Sequence, residues 1–126
     1  MNRLLDILLL GAAGGVGTLL RAGCNTLAVR FYGQTFPWST LAVNVAGSFA
    51  FGALYALLRS RAAFTSTHET VVLVGLLGGF TTYSSFAFQS VEMLASGRTS
   101  AALAYIVATN VLAVSAAWAG LRLCGG

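Results

Sequence analysis

The stretch Gly75-Leu-Leu-Gly-Gly-Phe-Thr-Thr-Tyr-Ser-Ser-Phe-Ala-Phe-Gln-Ser-Val-Glu92 decides how this chain is organised. It lies in an apolar run that begins near Val71, but its middle carries two glycines followed by hydroxyl and aromatic side chains. Each glycine weakens a helix by about 1 kcal/mol relative to alanine, so Gly78 and Gly79 predict a break. Lipid tolerates a break only where the freed backbone groups are buried in protein or line a polar cavity. The stretch therefore indicates either a binding or permeation site, or a packing face whose hydroxyls bond to their own backbone.

The composition identifies an integral membrane protein. Hydrophobic residues make up 57% of the 126 positions and charged residues only 8%, whereas soluble domains carry about 25% charged residues. The net charge of +4 comes from arginines scattered along the chain, which is typical of membrane-helix ends rather than of a nucleic-acid-binding patch. Cys24 and Cys124 have no metal-ligand spacing. We expect a multi-pass protein of the cell (inner or plasma) membrane, in contact with lipid and without a nucleic-acid partner.

Four segments are long and apolar enough to cross a bilayer, which takes about 20 residues. They cover residues 4–29, 40–58, 71–95 and 100–123. The first has the basic start of a signal peptide, but Asp6 interrupts it and no Ala-x-Ala site follows, so we interpret it as a retained helix. The predicted fold is an all-α membrane protein. It has one domain, residues 1–126, with four transmembrane helices of which the third is broken.

Small residues predict where these helices pack. Gly11 and Gly15 form a Gly-x-x-x-Gly spacing in the first helix, and Ser48 and Gly52 form a similar spacing in the second. Such spacings let helix backbones approach closely in lipid. Pro37, the only proline, predicts a turn between the two helices.

An oligomer is expected, because four short helices can hardly enclose an aqueous path. With four spans, one side of the membrane receives Arg3, Arg59, Arg61 and Arg122, and the other receives Arg30 and Arg98. This bias is too weak to fix one orientation. If the protein inserts both ways, an antiparallel pair would bring its two glycine-pair breaks together near the midplane.

The polar residues of the spans are mainly hydrogen-bond donors. They form three faces: Thr40 with Asn44 in the second helix, Thr82 with Ser85, Gln89 and Glu92 in the third, and Tyr105 with Thr109 in the fourth. Donors and electropositive ring edges solvate anions, whereas a cation path or proton pump more often carries a mid-membrane carboxylate. Carbonyls freed between Gly78 and Thr81 would instead coordinate a metal cation. The pattern favours an anion path beside a structural cation.

Two polar residues have two interpretations each. Arg21 is either a snorkelling helix-end arginine or a structural arginine that raises the local anion concentration. Asn44 either joins two helices or lines a polar path.

Three motifs resemble the Fluc family of small fluoride channels. The run from Gly78 to Phe86, Gly-Gly-Phe-Thr-Thr-Tyr-Ser-Ser-Phe, resembles the family signature Gly-Gly-x-Thr-Thr-Phe-Ser-Thr-Phe. The first-helix run Gly-Gly-Val-Gly-Thr-Leu-Leu-Arg, ending at Arg21, is also similar to the family pattern. So is the second-helix run Thr-Leu-Ala-Val-Asn-Val-Ala-Gly, which begins at Thr40. The resemblance covers essentially the whole chain.

The resemblance implies an antiparallel, dual-topology homodimer with two fluoride pores and a structural sodium ion at its centre. Such a channel passively lets fluoride leave the cytoplasm. The implied sodium ligands are the backbone carbonyls of Gly78 and Thr81. The implied pore residues are Asn44, Tyr83, Phe86, Ser84, Thr40, Tyr105 and Thr109, with Arg21 as a structural or vestibule arginine.

Three positions depart from the family pattern, and two rival functions remain. Tyr83 replaces a phenylalanine, Ala87 stands where a serine is common, and Gln89 stands where a glutamate is common. One rival is a membrane assembly or structural subunit without transport. The other is a small multidrug transporter, which would carry a carboxylate deep in the first helix, where residues 7–17 have none. No motif pairs a nucleophile with a base, so an enzyme is not expected.

Overall fold

The structure, a computed structural model, describes residues 2–62 and 65–125. Four helical spans occupy almost all of this chain: Arg3–Tyr32, Trp38–Arg59, Ser66–Ala95 and Thr99–Gly125. Each is long and apolar enough to cross a membrane, which confirms the four predicted spans. The predicted turn at Pro37 is also confirmed, since Gly33 ends the first helix at a φ of 73° and Pro37 precedes the second. The polar connection before the third span includes positions 63 and 64, which lie outside the described residues.

The spans pack as two close pairs. The second and fourth helices pack along their lengths, with Gly52 against the Ala117 backbone and Gly120 against the Phe49 backbone. The first helix packs in the same manner against the N-terminal half of the third span. The C-terminal half of the third span, Tyr83–Ala95, instead contacts the second and fourth helices. The third span thus crosses from one pair to the other, and the change of partner occurs at its break.

The third span is interrupted later than the sequence predicts. It begins with Ser66–Glu69, widens into the π-helical segment Thr70–Leu77 and regains α geometry at Gly78–Phe80. The break itself consists of Thr81 and Thr82, whose backbones are extended (ψ 161° and 110°). The prediction of a break in this span is therefore confirmed, but its assignment to the glycine pair is wrong.

The glycines near the break allow close helix packing and do not themselves interrupt the helix. A Cβ on Gly79 would collide with the carbonyl group of Gly14, and a Cβ on Gly17 would collide with the Leu76 carbonyl. By contrast, a Cβ on Gly11 or Gly15 would meet no atom within 4 Å. Gly11 and Gly15, whose spacing predicts a close helix contact, make none among the described residues of this chain, where the first helix packs through Gly14 and Gly17. Backbones this close leave no space for a methyl group.

Candidate functional site

The break is held open by Asn44 from the second helix. Its Oδ1 accepts a hydrogen bond from the Thr82 backbone N–H (2.8 Å), and its Nδ2 donates to the Thr82 carbonyl oxygen (3.0 Å). Both polar backbone groups of Thr82 are thereby satisfied without water, as a membrane interior requires. Gly47, one turn along the second helix, leaves room for the Thr81 methyl group, with which a Cβ would collide. Asn44 therefore joins two helices.

The same contacts release two carbonyl groups from their helical donors. In a continuous helix, the Gly78 carbonyl would accept from the Thr82 N–H, and the Thr81 carbonyl from the Ser85 N–H. Here the Thr82 N–H donates to Asn44, and the Ser85 N–H donates to the Thr82 hydroxyl oxygen (3.2 Å). These two oxygens are the ones that the family resemblance implies as sodium ligands.

Arg21 is tied to the backbone of the break. Its Nε donates to the carbonyl oxygen of Gly79 (3.1 Å), whose usual helical donor would be the Tyr83 N–H. The side chain is half-buried, and its helix packs against Gly79. A guanidinium has five N–H donors, so several remain for other ligands. Of the two interpretations of Arg21, the structural one describes this contact.

A polar cavity of about 280 Å³ lies beside the break. We call it the inner cavity; donors from three spans line it, namely Thr18, Arg21, Asn25, Ser39, Thr40, Thr82, Ser85 and Gln89. It shares Asn25, Ser39, Thr40 and Gln89 with a second polar cavity of about 310 Å³, the outer cavity, whose lining also includes Glu92 and Arg98. The shared residues show that the two cavities adjoin. The predicted face of the third span is confirmed, because Thr82, Ser85 and Gln89 all line the inner cavity.

An open groove of about 320 Å³ lies on the other side of the break. Asn44, Tyr83, Phe86 and Thr109 line it, together with Ser48, Thr81 and Asn110. Phe86 is buried, while Tyr83 is 77% exposed and its ring centre lies 5.6 Å from that of Phe86. Because Thr81 lines the groove and Thr82 the inner cavity, the two spaces approach each other at the break.

The hydroxyl of Thr109 is unusual for its position. Its Oγ1 is buried and has no hydrogen-bond partner among the residues that the structure describes. Threonine hydroxyls inside helices commonly bond to the carbonyl four residues earlier, as Thr26 and Thr70 do here. A buried, unpaired hydroxyl in a groove is a group from which a ligand can accept a hydrogen bond.

Tyr105 forms the back of this region. It is fully buried, and its hydroxyl donates to Oε1 of Gln89 (2.8 Å). Its ring packs against Phe86 (5.2 Å between ring centres) and edge-on against Phe36 (5.4 Å). The hydroxyl predicted to face an ion is therefore engaged by a third-span side chain.

The ten residues assigned from the sequence fall into separate locations. Asn44, Tyr83, Phe86 and Thr109 line the groove, and Thr40 and Arg21 line the inner cavity. Thr81 is the first residue of the break, and Gly78 lies in the short helical segment before it. Tyr105 is buried, and Ser84 is exposed on the surface of the third span. Sequence reasoning missed Asn25 and Ser39. Asn25 follows Arg21 by four residues, a spacing that places both on one helical face, and this signal could have revealed it.

Comparison with known proteins shows one consistent similarity. A sequence model of the family described as CrcB-like protein, Camphor Resistance (CrcB), matches residues 8–121. The chain is 39% identical over 117 residues to the fluoride-specific ion channel FluC of Rhizobium meliloti (strain 1021), covering 93% of this chain and 94% of the relative. It is 41% identical over 122 residues to FluC of Opitutus terrae, covering 95% and 90%. It is 36% identical over 120 residues to FluC of Agrobacterium fabrum, covering 95% and 96%.

Proposed function

This chain belongs to the CrcB-like family, and on that premise we propose that it is a passive, fluoride-selective ion channel that lowers cytoplasmic fluoride. It is a multi-pass membrane protein and not an enzyme. Relatives that share more than a third of its residues over nearly their whole length are named fluoride-specific channels. The observation that carries the proposal in this chain is the groove lined by Asn44, Phe86 and Thr109, where the buried Thr109 hydroxyl has no hydrogen-bond partner among the described residues.

The groove has the chemistry that a dehydrated anion requires. Asn44 uses one N–H on Thr82 and has a second N–H, since a carboxamide carries two. Thr109 supplies a hydroxyl proton, and the rims of the Phe86 and Tyr83 rings are electropositive. In a channel, such groups replace the hydration shell of the ion. No mid-membrane carboxylate from the described residues lines the groove, so an anion meets no fixed negative charge there.

A sodium ion fits the carbonyl groups at the break. Gly78 and Thr81 have lost the N–H donors that a continuous helix would give them, and carbonyl oxygens are ligands that hard cations accept in the membrane. Among the described residues there is no cluster of three or more His, Cys, Asp or Glu that would compete as a metal site. When bound, the ion supplies a fixed positive charge that attracts anions. Asn44 and Arg21 hold the backbone that would ligate it.

An antiparallel homodimer with two pores completes the proposal. The groove is open along one side, and Tyr83 stands 77% exposed at its edge. A polar path with an open side is not insulated from lipid, so a second subunit is needed to close it. The weak arginine bias permits insertion in both orientations, and opposite orientations would bring two such breaks together.

Fluoride efflux from proteoliposomes tests the proposal. The purified protein is reconstituted, and release is read with a fluoride electrode, with chloride release measured in parallel. We expect rapid release of fluoride alone, abolished by Phe86→Ile and reduced at least tenfold by Thr109→Val, which removes the hydroxyl at nearly constant volume. Thr26→Val is the matched control, because the Thr26 hydroxyl bonds to its own helix on an exposed face. Folded protein that releases no fluoride would favour the assembly-subunit alternative.

A further inference from the structure

We infer that Gln89 is an oriented hydrogen-bond donor to the permeating anion and that Tyr105 is the residue that orients it. The inference rests on the proposed function and adds a specificity-determining side chain outside the groove. Gln89 is one of the four residues that line both the inner and the outer cavity. An anion that moves between these cavities must pass its side chain.

The hydrogen bond from Tyr105 fixes which end of the Gln89 carboxamide faces the cavities. A tyrosine hydroxyl has one proton, and here it is donated to Oε1 of Gln89 (2.8 Å). Tyr105 is fully buried and its ring packs between Phe86 and Phe36, so packing fixes the position of the hydroxyl that donates to Gln89. The carboxamide oxygen is turned toward Tyr105, so its NH₂ group is the end left to donate to an anion.

Thr40 adds a third side chain to the hydrogen bond between Tyr105 and Gln89. Its side chain lies next to the Tyr105 hydroxyl and lines both cavities. Since the phenol proton is committed to Gln89, the phenol oxygen can take part in a hydrogen bond with Thr40 only as the acceptor. The resulting chain runs from Thr40 to Tyr105 to Gln89, and each step polarises the next. It ends in N–H groups at the cavity.

A second chain delivers another donor to the same space. The Thr82 hydroxyl donates to the Ser85 oxygen (3.0 Å) while it accepts from the Ser85 N–H. The Ser85 proton is therefore available to the inner cavity, which Ser85 lines together with Gln89 and Arg21. Three side chains from two helices thus present donors to one space. A glutamate in place of Gln89 would present a charged acceptor to the anion instead.

The side-chain NH₂ signals of the two glutamines, Gln34 and Gln89, give a test that does not depend on transport. The full protein, labelled with ¹⁵N-glutamine, is purified in micelles and titrated with sodium fluoride against sodium gluconate at constant ionic strength. We expect the Gln89 signals to move with fluoride in a saturable manner. Gln34 is exposed and lines only the outer cavity, so a comparison of the two glutamines shows which part of a shift is specific to the position of Gln89. Gln89 signals that do not move would overturn the inference.

Substitutions test the role of Tyr105. Losing a hydrogen bond to a charged ion costs about tenfold in rate, so we expect Gln89→Met to slow fluoride efflux about tenfold. We expect the same from Tyr105→Phe, because it leaves the Gln89 carboxamide without the partner that orients it. The double variant is expected to be no slower than either single one, because Tyr105 acts through Gln89. Tyr32→Phe, an exposed tyrosine at the end of the first helix, is the matched control. Additive losses would overturn the positioning role.

The two readouts separate this inference from the proposed function. Wild-type protein that releases fluoride while its Gln89 signals stay fixed contradicts the donor role alone. Wild-type protein whose Gln89 signals shift but that releases no fluoride contradicts the channel and still supports an anion site at Gln89. In Tyr105→Phe, loss of the Gln89 response with retention of the folded spectrum supports the orientation.

Discussion

Replacing Asn44 by alanine is expected to destabilise the protein far more than the same change at Asn110. Asn44 satisfies both the N–H and the carbonyl oxygen of Thr82, at 2.8 and 3.0 Å. Asn110 lines the same groove, but its Nδ2 donates only to the Ile106 carbonyl, one turn back in its own helix (2.7 Å). The pair therefore compares one asparagine that joins two helices with one that acts locally.

The expected loss follows from the groups left behind. Side-chain hydrogen bonds between membrane helices contribute on average about 0.6 kcal/mol each, which gives about 1 kcal/mol for two as a lower bound. Leaving a buried polar group unsatisfied costs about 1–3 kcal/mol, and Asn44→Ala leaves two backbone groups of Thr82 in this state. We expect a loss of about 2–4 kcal/mol for Asn44→Ala and less than about 1 kcal/mol for Asn110→Ala.

Unfolding in mixed micelles measures this difference. The protein is titrated with a denaturing detergent, and the free energy of unfolding is read from the fluorescence of Trp38 and Trp118. Fluoride efflux by folded Asn44→Ala protein is measured in parallel and should fall, because the break loses its support. Equal free energies for the two variants would refute the claim that Asn44 holds the break.

Three further perturbations address the packing, the break and the cation. Gly79→Ala should lower the free energy of unfolding by about 1–3 kcal/mol, because its Cβ would meet the Gly14 carbonyl. Gly15→Ala has free space and should leave this free energy unchanged or raise it by up to about 1 kcal/mol. Equal effects of the two variants in detergent unfolding would contradict the packing. Thr82→Val should cost about 1 kcal/mol by removing the cap on the Ser85 N–H, and unchanged stability would argue against that cap. Replacing sodium by N-methylglucamine during purification should slow fluoride efflux at least tenfold, with recovery on adding sodium back; indifference to sodium would contradict the cation site.

The number and limits of the spans could be predicted because lipid imposes a length and a composition. Each span in the structure begins and ends within a few residues of the apolar segments, apart from the third, which extends back to Ser66. The π-helical segment Thr70–Leu77 lies almost entirely inside the predicted span, but the sequence has no simple periodic signal for it. Hydropathy therefore reports where a helix crosses the membrane but not how its hydrogen bonds are arranged.

The position of the break could not be predicted from local propensity. Gly78 and Gly79 are the weakest helix formers of the stretch, yet they remain helical while the next threonines are extended. The contacts that decide this come from distant residues: Asn44 replaces the helical bonds of Thr82, and Arg21 takes the Gly79 carbonyl. Tertiary contacts outweigh a local preference of about 1 kcal/mol per residue.

For the site residues, the sequence predicts the shared helical faces but not the hydrogen-bond partners. The helical face of Thr82, Ser85 and Gln89 follows from their spacing and does line one cavity. Two features depend on how the four spans meet: Gln89 engages the Tyr105 hydroxyl, and the Thr109 hydroxyl has no partner among the described residues. Periodicity identifies which residues share a face, whereas their hydrogen-bond partners require the three-dimensional arrangement.

The most direct test of the central claim is the reversal potential of the purified protein in a planar bilayer with opposed gradients of fluoride and chloride and equal sodium on both sides. A passive fluoride-selective channel predicts currents that reverse at the fluoride equilibrium potential and stay there when the chloride gradient is inverted. Currents that follow chloride, or folded protein without any current, would contradict the account.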